Sequence, residues 1–324
     1  MTLWRRVLAA LAVGLGALLG FIPYAAHAAT GAPHAATGAP SPAAAPVVVV
    51  GTGGLTWSDV SQQGTPNLWR FVAEGATGQM TIRSVYTNAC PVDGWLGFGS
   101  GTRAAGPPVD GSATRSTSDP CPAISPVVNG RVQQWNAYER AASGTRFDVH
   151  LGLIGDQARQ AGVCVEAVGP GAALAAARSD GAVPDLARLS FPTDQSALEG
   201  GELTALLARC PLAIVDLGAL RDPADLPAGE PAAGTRAQQV ADLDRRLGAV
   251  LAQAPAGARI LLGSLSDAGV TERLRLAAAL GPGFAAGMLH SPSTRQPGLV
   301  QIQDLTVTTL SLAGLAVPAG LGGA

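Results

Sequence analysis

The sequence predicts an α/β fold: a three-layer sandwich with a mainly parallel central sheet covered by helices on both faces. Two observations carry this. Short apolar runs rich in Val, Ile and Leu recur along the chain, and stretches of helical period separate them. Strands buried on both faces read as continuous apolar runs, and their alternation with helices is the signature of a parallel sheet.

The first run, Val47–Val50, opens the stretch VVVVGTGGLTWSDV and leads into a glycine turn at its carboxyl end. Thr65-Pro66-Asn67 starts a helix, because Thr caps well and Pro suits the first helical position. Leu68, Phe71 and Val72 form its apolar stripe, and Gly75 stops it. Strands are expected at Gln79–Val85 and Val163–Val168. Between them, Arg103 to Gly130 is rich in Gly, Pro, Ser and Asp and reads as a long loop, a feature often tied to function. Leu212–Asp216 is the next strand. Thr235 to Gln253 is the clearest helix, with Val240, Leu243, Leu247, Val250 and Leu251 on one face. On its polar side Asp242 and Arg246 stand four apart as a pair, and Asp242 and Asp244 read as a solvated face. Arg259–Gly263, Ala285–Leu289 and Leu299–Gln303 complete the strands.

All of these lie in one domain, 47–314. Ahead of it, Met1 to Ala28 has a basic start at Trp4-Arg5-Arg6, an apolar run from Val7 to Ile22, and Ala26-His27-Ala28. That is the layout of an export signal cleaved near Ala28. The alternative is an N-terminal membrane anchor, although the run is shorter than the roughly 20 residues a span needs. Ala29 to Pro46 repeats ATGAP and is a linker that cannot bury a core. Residues 315–324 read as a flexible tail.

Composition excludes several function classes. A net charge of −2 leaves no basic footprint for nucleic acid. The chain contains no lysine, so a Walker phosphate loop, a pyridoxal Schiff base and a Ser-x-x-Lys site are all out. His27 lies in the signal and His34 in the linker, which leaves His150 and His290 in the domain. Multi-histidine zinc sites are therefore excluded, and a Ser-His-Asp triad must use one of these two. The four cysteines have no CxxC spacing, and in an exported chain they suggest two disulfides. Cys90 and Cys121 share Pro-flanked loop sequence, whereas Cys164 and Cys210 lie at strand starts. The favoured pairs are Cys90–Cys121 and Cys164–Cys210.

The glycine turn does not make a dinucleotide site. Gly51-Thr52-Gly53 lacks the third glycine of the fingerprint, and the acidic residue at the expected distance, Glu74, sits on a helix. No Gly-x-Ser-x-Gly elbow occurs; a serine nucleophile would have to be Ser100 or Ser264, with His290. More suggestive are three polar residues at strand ends, Asp216, Asp267 and His290, since ligands of open α/β sheets bind there.

With these motifs in order, the chain resembles the alkaline phosphatase superfamily of phosphatases, sulfatases and phosphodiesterases. The residues that carry the resemblance are the first strand, TPNLWRFVAEGA (Thr65 to Ala76), Ser266-Asp267-Ala268-Gly269, and LHSPSTRQPGLVQIQDLTVTTLSLAG (Leu289 to Gly314). The resemblance implies two metal ions, usually zinc, held by Asp and His around a Thr, Ser or modified Cys nucleophile. Residue by residue that set is incomplete. Gly53 stands where the first metal-binding Asp belongs, Ala268 replaces a His, and Leu220 stands for the His of an Asp…Gly-His element that keeps Asp216. Asp216, Asp267 and His290 are the surviving positions, too few for zinc's usual four ligands. The nucleophile position offers Thr87 and Cys90, neither at the right spacing.

The layout is also similar to bacterial envelope proteins in which a degenerate domain of this kind precedes membrane helices. The expectation is therefore an exported, catalytically degenerate domain with no cofactor, acting in binding or at the envelope, with the membrane or envelope proteins as partners. The alternative is an active hydrolase of phosphate or sulfate esters, with zinc as cofactor and Thr87, Asp216, Asp267 and His290 as its site.

Overall fold

The strand β1 (Val47–Gly53) is buried along its whole length. It lies inside the sheet that organises the chain, as seen in a computed structural model. The structure describes residues 45–109, 111, 115–185, 187–188, 190–192, 200–231 and 233–321. The expected signal and the linker up to residue 44 lie outside the described residues.

The other sheet strands are β2 (Ala76–Thr81), β5 (Val165–Val168), β6 (Ala187–Arg188), β7 (Leu212–Ala219), β8 (Arg259–Ser264), β9 (Arg275–Leu280), β10 (Gly287–Met288) and β11 (Leu299–Gln301). A separate two-residue hairpin, β3 (Val127–Val128) with β4 (Arg131–Val132), sits within and just after the long loop. The sheet order is β10-β2-β9-β8-β1-β7-β5-β6, with β11 also on β2. All its pairings are parallel except those of β9, which runs antiparallel to both β8 and β2.

Alternate residues of β1 face opposite cores, as the period of a strand requires. Val47 and Val49 pack with α2 (Pro91–Ser100), α3 (Trp135–Ser143), α4 (Leu153–Ala161), α5 (Pro170–Ala175) and α8 (Ile302–Leu312). Val48 and Val50 pack with α1 (Pro66–Glu74), α6 (Glu202–Arg209) and α7 (Arg236–Gln253). The sequence's three-layer α/β sandwich with a mainly parallel sheet is what the structure has.

Differences from the expected elements have local causes. β1 continues to Gly53, so the chain turns at Gly54 (φ 72°) rather than at Gly51. β2 starts directly after Gly75 and ends at Thr81, ahead of the Gln79–Val85 expected. β9 has no counterpart in the sequence reading because RLAAAL is built of good helix formers; pairing on both edges overrides that preference. α2 is rich in glycine, yet its glycines let it approach its neighbours: a Cβ on Gly94 would lie 2.0 Å from the Leu265 carbonyl oxygen.

On α7, Asp242 pairs with Arg245 at 2.7 Å rather than with Arg246. Arg246 instead donates to the Leu217 carbonyl at 2.9 Å. Asp244 is buried, not solvated. It accepts from Leu68 N at 2.8 Å and Asn67 N at 3.3 Å, serving two open backbone amide groups at the start of α1, and also from Asn67 Nδ2 at 2.9 Å. Both disulfides form as expected, Cys90–Cys121 and Cys164–Cys210. Toward the tail, Leu315 is buried against the core.

Candidate functional site

β7, β1 and β8 end together, and the sequence places Asp216 and Asp267 there. Asp216 pairs in register with Gly51 and is 6% exposed. Its Oδ1 accepts from Gly218 N at 2.7 Å and its Oδ2 from Gly171 N at 2.8 Å. Burial pushes this carboxyl above its ordinary range, against the pull of those two amide groups and of Arg246.

Asp267 follows β8 and is 1% exposed. Its Oδ2 accepts from Ala89 N at 2.9 Å, and its Oδ1 from Arg275 Nη2 at 2.5 Å. Its own N–H donates to the Ala89 carbonyl at 2.7 Å, and its carbonyl accepts from Arg221 Nη1 at 3.0 Å. Arg275 reaches this point because β9 is antiparallel: its first residue returns to the carboxyl end of β8. The Arg275 side chain is buried as deeply as Asp267, and its Nη1 also donates to the Gly54 carbonyl at 3.2 Å.

Three more guanidinium–carboxylate pairs surround these turns. Arg221 Nε donates to Glu230 at 2.7 Å. Arg236 bonds the Gly54 carbonyl at 2.7 Å and pairs with Asp59 at 2.5 Å. Arg115 pairs with Asp93 at the start of α2, where Asp93 also accepts from Cys90 N at 2.8 Å and Gly106 N at 2.8 Å.

The glycine turn is committed to packing. Gly54 N donates to the Ser266 carbonyl at 2.8 Å, Leu55 N to Ser264 Oγ at 2.9 Å, and Thr56 N to Asp59 Oδ2 at 2.9 Å. These are the amide groups a phosphate cradle turns toward its ligand. A Cβ on Gly51 would come 2.2 Å from the Trp95 ring, and one on Gly53 would come 2.0 Å from Ser266 Oγ. The glycines are there for close approach.

The remaining sequence-predicted positions divide. Leu220 and Ala268 are buried beside the same turn, and Leu220 N donates to the Gly53 carbonyl at 2.9 Å. His290 is exposed after β10. Two strands, β2 and β9, separate β10 from β8; three strand spacings are about 14 Å. His290 and Asp267 are therefore not brought together.

Thr87 is exposed. The residue meeting Asp267 from that segment is Ala89, and Cys90, the cap of α2, is disulfide-bonded. Ser100 Oγ donates to Leu96 O at 2.7 Å within its own helix, and Ser264 Oγ accepts from Leu55 N. His150 is exposed and contacts Asp148 at 3.5 Å.

Zinc needs three or four clustered His, Cys or carboxylate ligands. Among the described residues no three such side chains gather. All four carboxylate oxygens of Asp216 and Asp267 already accept from protein donors. The residues present at the strand ends do not fit a zinc pair. Arg275, Arg221, Arg236 and the Asp93–Arg115 pair carry no signal in the sequence, because their spacings of 8, 9, 177 and 22 residues are beyond the reach of side chains on one helix or strand and the chain must turn to bring each pair together.

Fold and site together define a three-layer α/β domain whose strand ends carry buried carboxylates and arginine–carboxylate pairs. No protein-family model matches the chain, and no curated protein does. Several solved structures are similar to it. One is an alkaline phosphatase superfamily protein from Vibrio parahaemolyticus, 15% identical over 83% of this chain and 66% of that one, with a TM-score of 0.47. Another is the alkaline phosphatase of the Antarctic bacterium TAB5, 15% identical over 83% and 99%, with a TM-score of 0.44. A third is murine ectonucleotide pyrophosphatase/phosphodiesterase 5, 11% identical over 84% and 96%, with a TM-score of 0.44. At these identities and scores the likenesses say nothing of activity.

Proposed function

We propose that this chain is an exported, catalytically degenerate alkaline-phosphatase-like domain with a non-catalytic binding or envelope-associated role. The observation that supports it most is the state of Asp267, held by Arg275 on one oxygen and by Ala89 N–H on the other. In a two-metal hydrolase the cations activate the nucleophile and neutralise the transferred group. Here the carboxylates are neutralised or satisfied by the protein itself, and Ala89 brings no nucleophile.

The domain works without a metal or other cofactor, and its partners lie at the membrane or among envelope proteins. Two disulfides suit the oxidising compartment that export implies. Assays of the full chain with aryl phosphate, phosphodiester and aryl sulfate, each with added zinc, should give background rates. Zinc-dependent turnover that disappears on Asp216→Asn would overturn the reading in favour of an active hydrolase.

A further inference from the structure

Away from the strand ends, a cavity of about 110 Å³ lies between the sheet and α8. Its floor is apolar and buried: Met80, Leu261, Ala277 and Ala279. Phe284, Leu289, His290 and Thr308 line the part nearer to solvent.

Into this apolar surround α8 brings one carboxylate, Asp304, 8% exposed. Its Oδ2 is fully used, accepting from Gln301 N at 2.7 Å and from Ser293 Oγ at 2.9 Å. Its Oδ1 is buried with no hydrogen-bond partner among the described residues. A buried carboxylate oxygen left without a donor is costly, so the site is chemically incomplete as it stands. Among the described residues no arginine lines the cavity to complete it.

We propose that this cavity binds a small primary alkylammonium ion, with its ammonium group on Asp304 Oδ1 and its alkyl chain against Met80, Leu261 and Ala277. Three features set that class. The unpartnered carboxylate oxygen selects a cationic donor over an anion, since charge-assisted bonds are the stronger ones. The apolar floor selects a hydrocarbon chain over a sugar. Apolar cavities of about 150 Å³ hold a benzene-sized molecule, so this smaller space suits about four carbons.

The test is calorimetric titration of the full chain with n-butylammonium chloride, and separately with n-butanol and butyrate. The inference expects saturable one-site binding of n-butylammonium, with n-butanol at least ten-fold weaker and butyrate not bound. Asp304→Asn keeps an oxygen to accept from Gln301 N but puts a donor where the cation sits; it should weaken n-butylammonium at least ten-fold. Ala277→Leu, which fills the floor, should abolish binding. No saturable binding, equal binding of n-butanol, or unchanged affinity in a folded Asp304→Asn protein would each overturn it. The contrast between n-butylammonium and n-butanol uses the unmodified chain and stands even if a variant fails to fold.

Discussion

Replacing Arg275 by methionine keeps the unbranched apolar stem and removes the guanidinium. Asp267 would then hold one carboxylate oxygen on Ala89 N–H and leave the other, 1% exposed as a residue, without a donor. The Gly54 carbonyl would lose one of its two arginine donors but keep Arg236. Breaking a buried ion pair by removing one partner costs about 3–5 kcal/mol, and a whole domain is stable by only about 5–15 kcal/mol. Arg275→Met should therefore lower stability by about 3–5 kcal/mol, read from urea unfolding followed by tryptophan fluorescence.

Asp267→Asn in the same background removes the stranded charge and should recover part of the loss. That makes the two positions non-additive by about 0.5–3 kcal/mol, the range for directly bonded residues. An Arg275→Met loss below about 1 kcal/mol, or strict additivity, would refute the claim that this guanidinium is the internal counter-charge of Asp267.

Two further outcomes follow, one from close packing at the glycine turn and one from burial on β5. Gly53→Asp restores the acidic type at the first metal position of the resembled family, yet its Cβ would meet Ser266 Oγ at 2.0 Å and Ala219 Cβ at 2.9 Å. It should destabilise the chain by about 1–3 kcal/mol, the usual range for overpacking, and give no ester turnover; a stable, active variant would contradict this. Glu166 is buried on β5, and burial raises its carboxyl above 4.5 despite Arg209 and Arg188. A raised folded value favours the protonated native state. Its contribution is present below the unfolded value and is lost as pH rises through the folded one. Glu166→Gln should therefore gain stability relative to the parent as pH rises from about 4.5, and a pH-independent difference in urea midpoints would count against it.

Much of the fold was legible because it rests on local signals. Four valines buried on both faces, a Thr-Pro start for α1 and the apolar stripe of α7 each state their structure within a few residues. The disulfide pairs were legible too, since the two cysteines of Pro-flanked loop sequence met each other and the two at strand starts met each other. What was not legible depends on pairing. β9 carries no strand signal of its own until its two partner strands are known, and Arg275 gains meaning only because β9 runs antiparallel and returns it to Asp267. Asp244 looks like one more charge on a polar helix face; only the packing of α7 on α1 puts it under two open amide groups. His290 was placed near the crevice by order along the chain, but the sheet order sets it beyond β2 and β9. The glycine turn was legible as a turn, whereas its purpose, room for Trp95 and Ser266, was not.

The strand-end carboxylates belong to the protein's own donors. Native mass spectrometry of the full chain, purified and exchanged into buffer with excess zinc, measures whether they also take up metal. The expected result is the metal-free mass with no stoichiometric zinc. A stable species carrying two zinc ions per chain, lost on Asp216→Asn or Asp267→Asn, would contradict it.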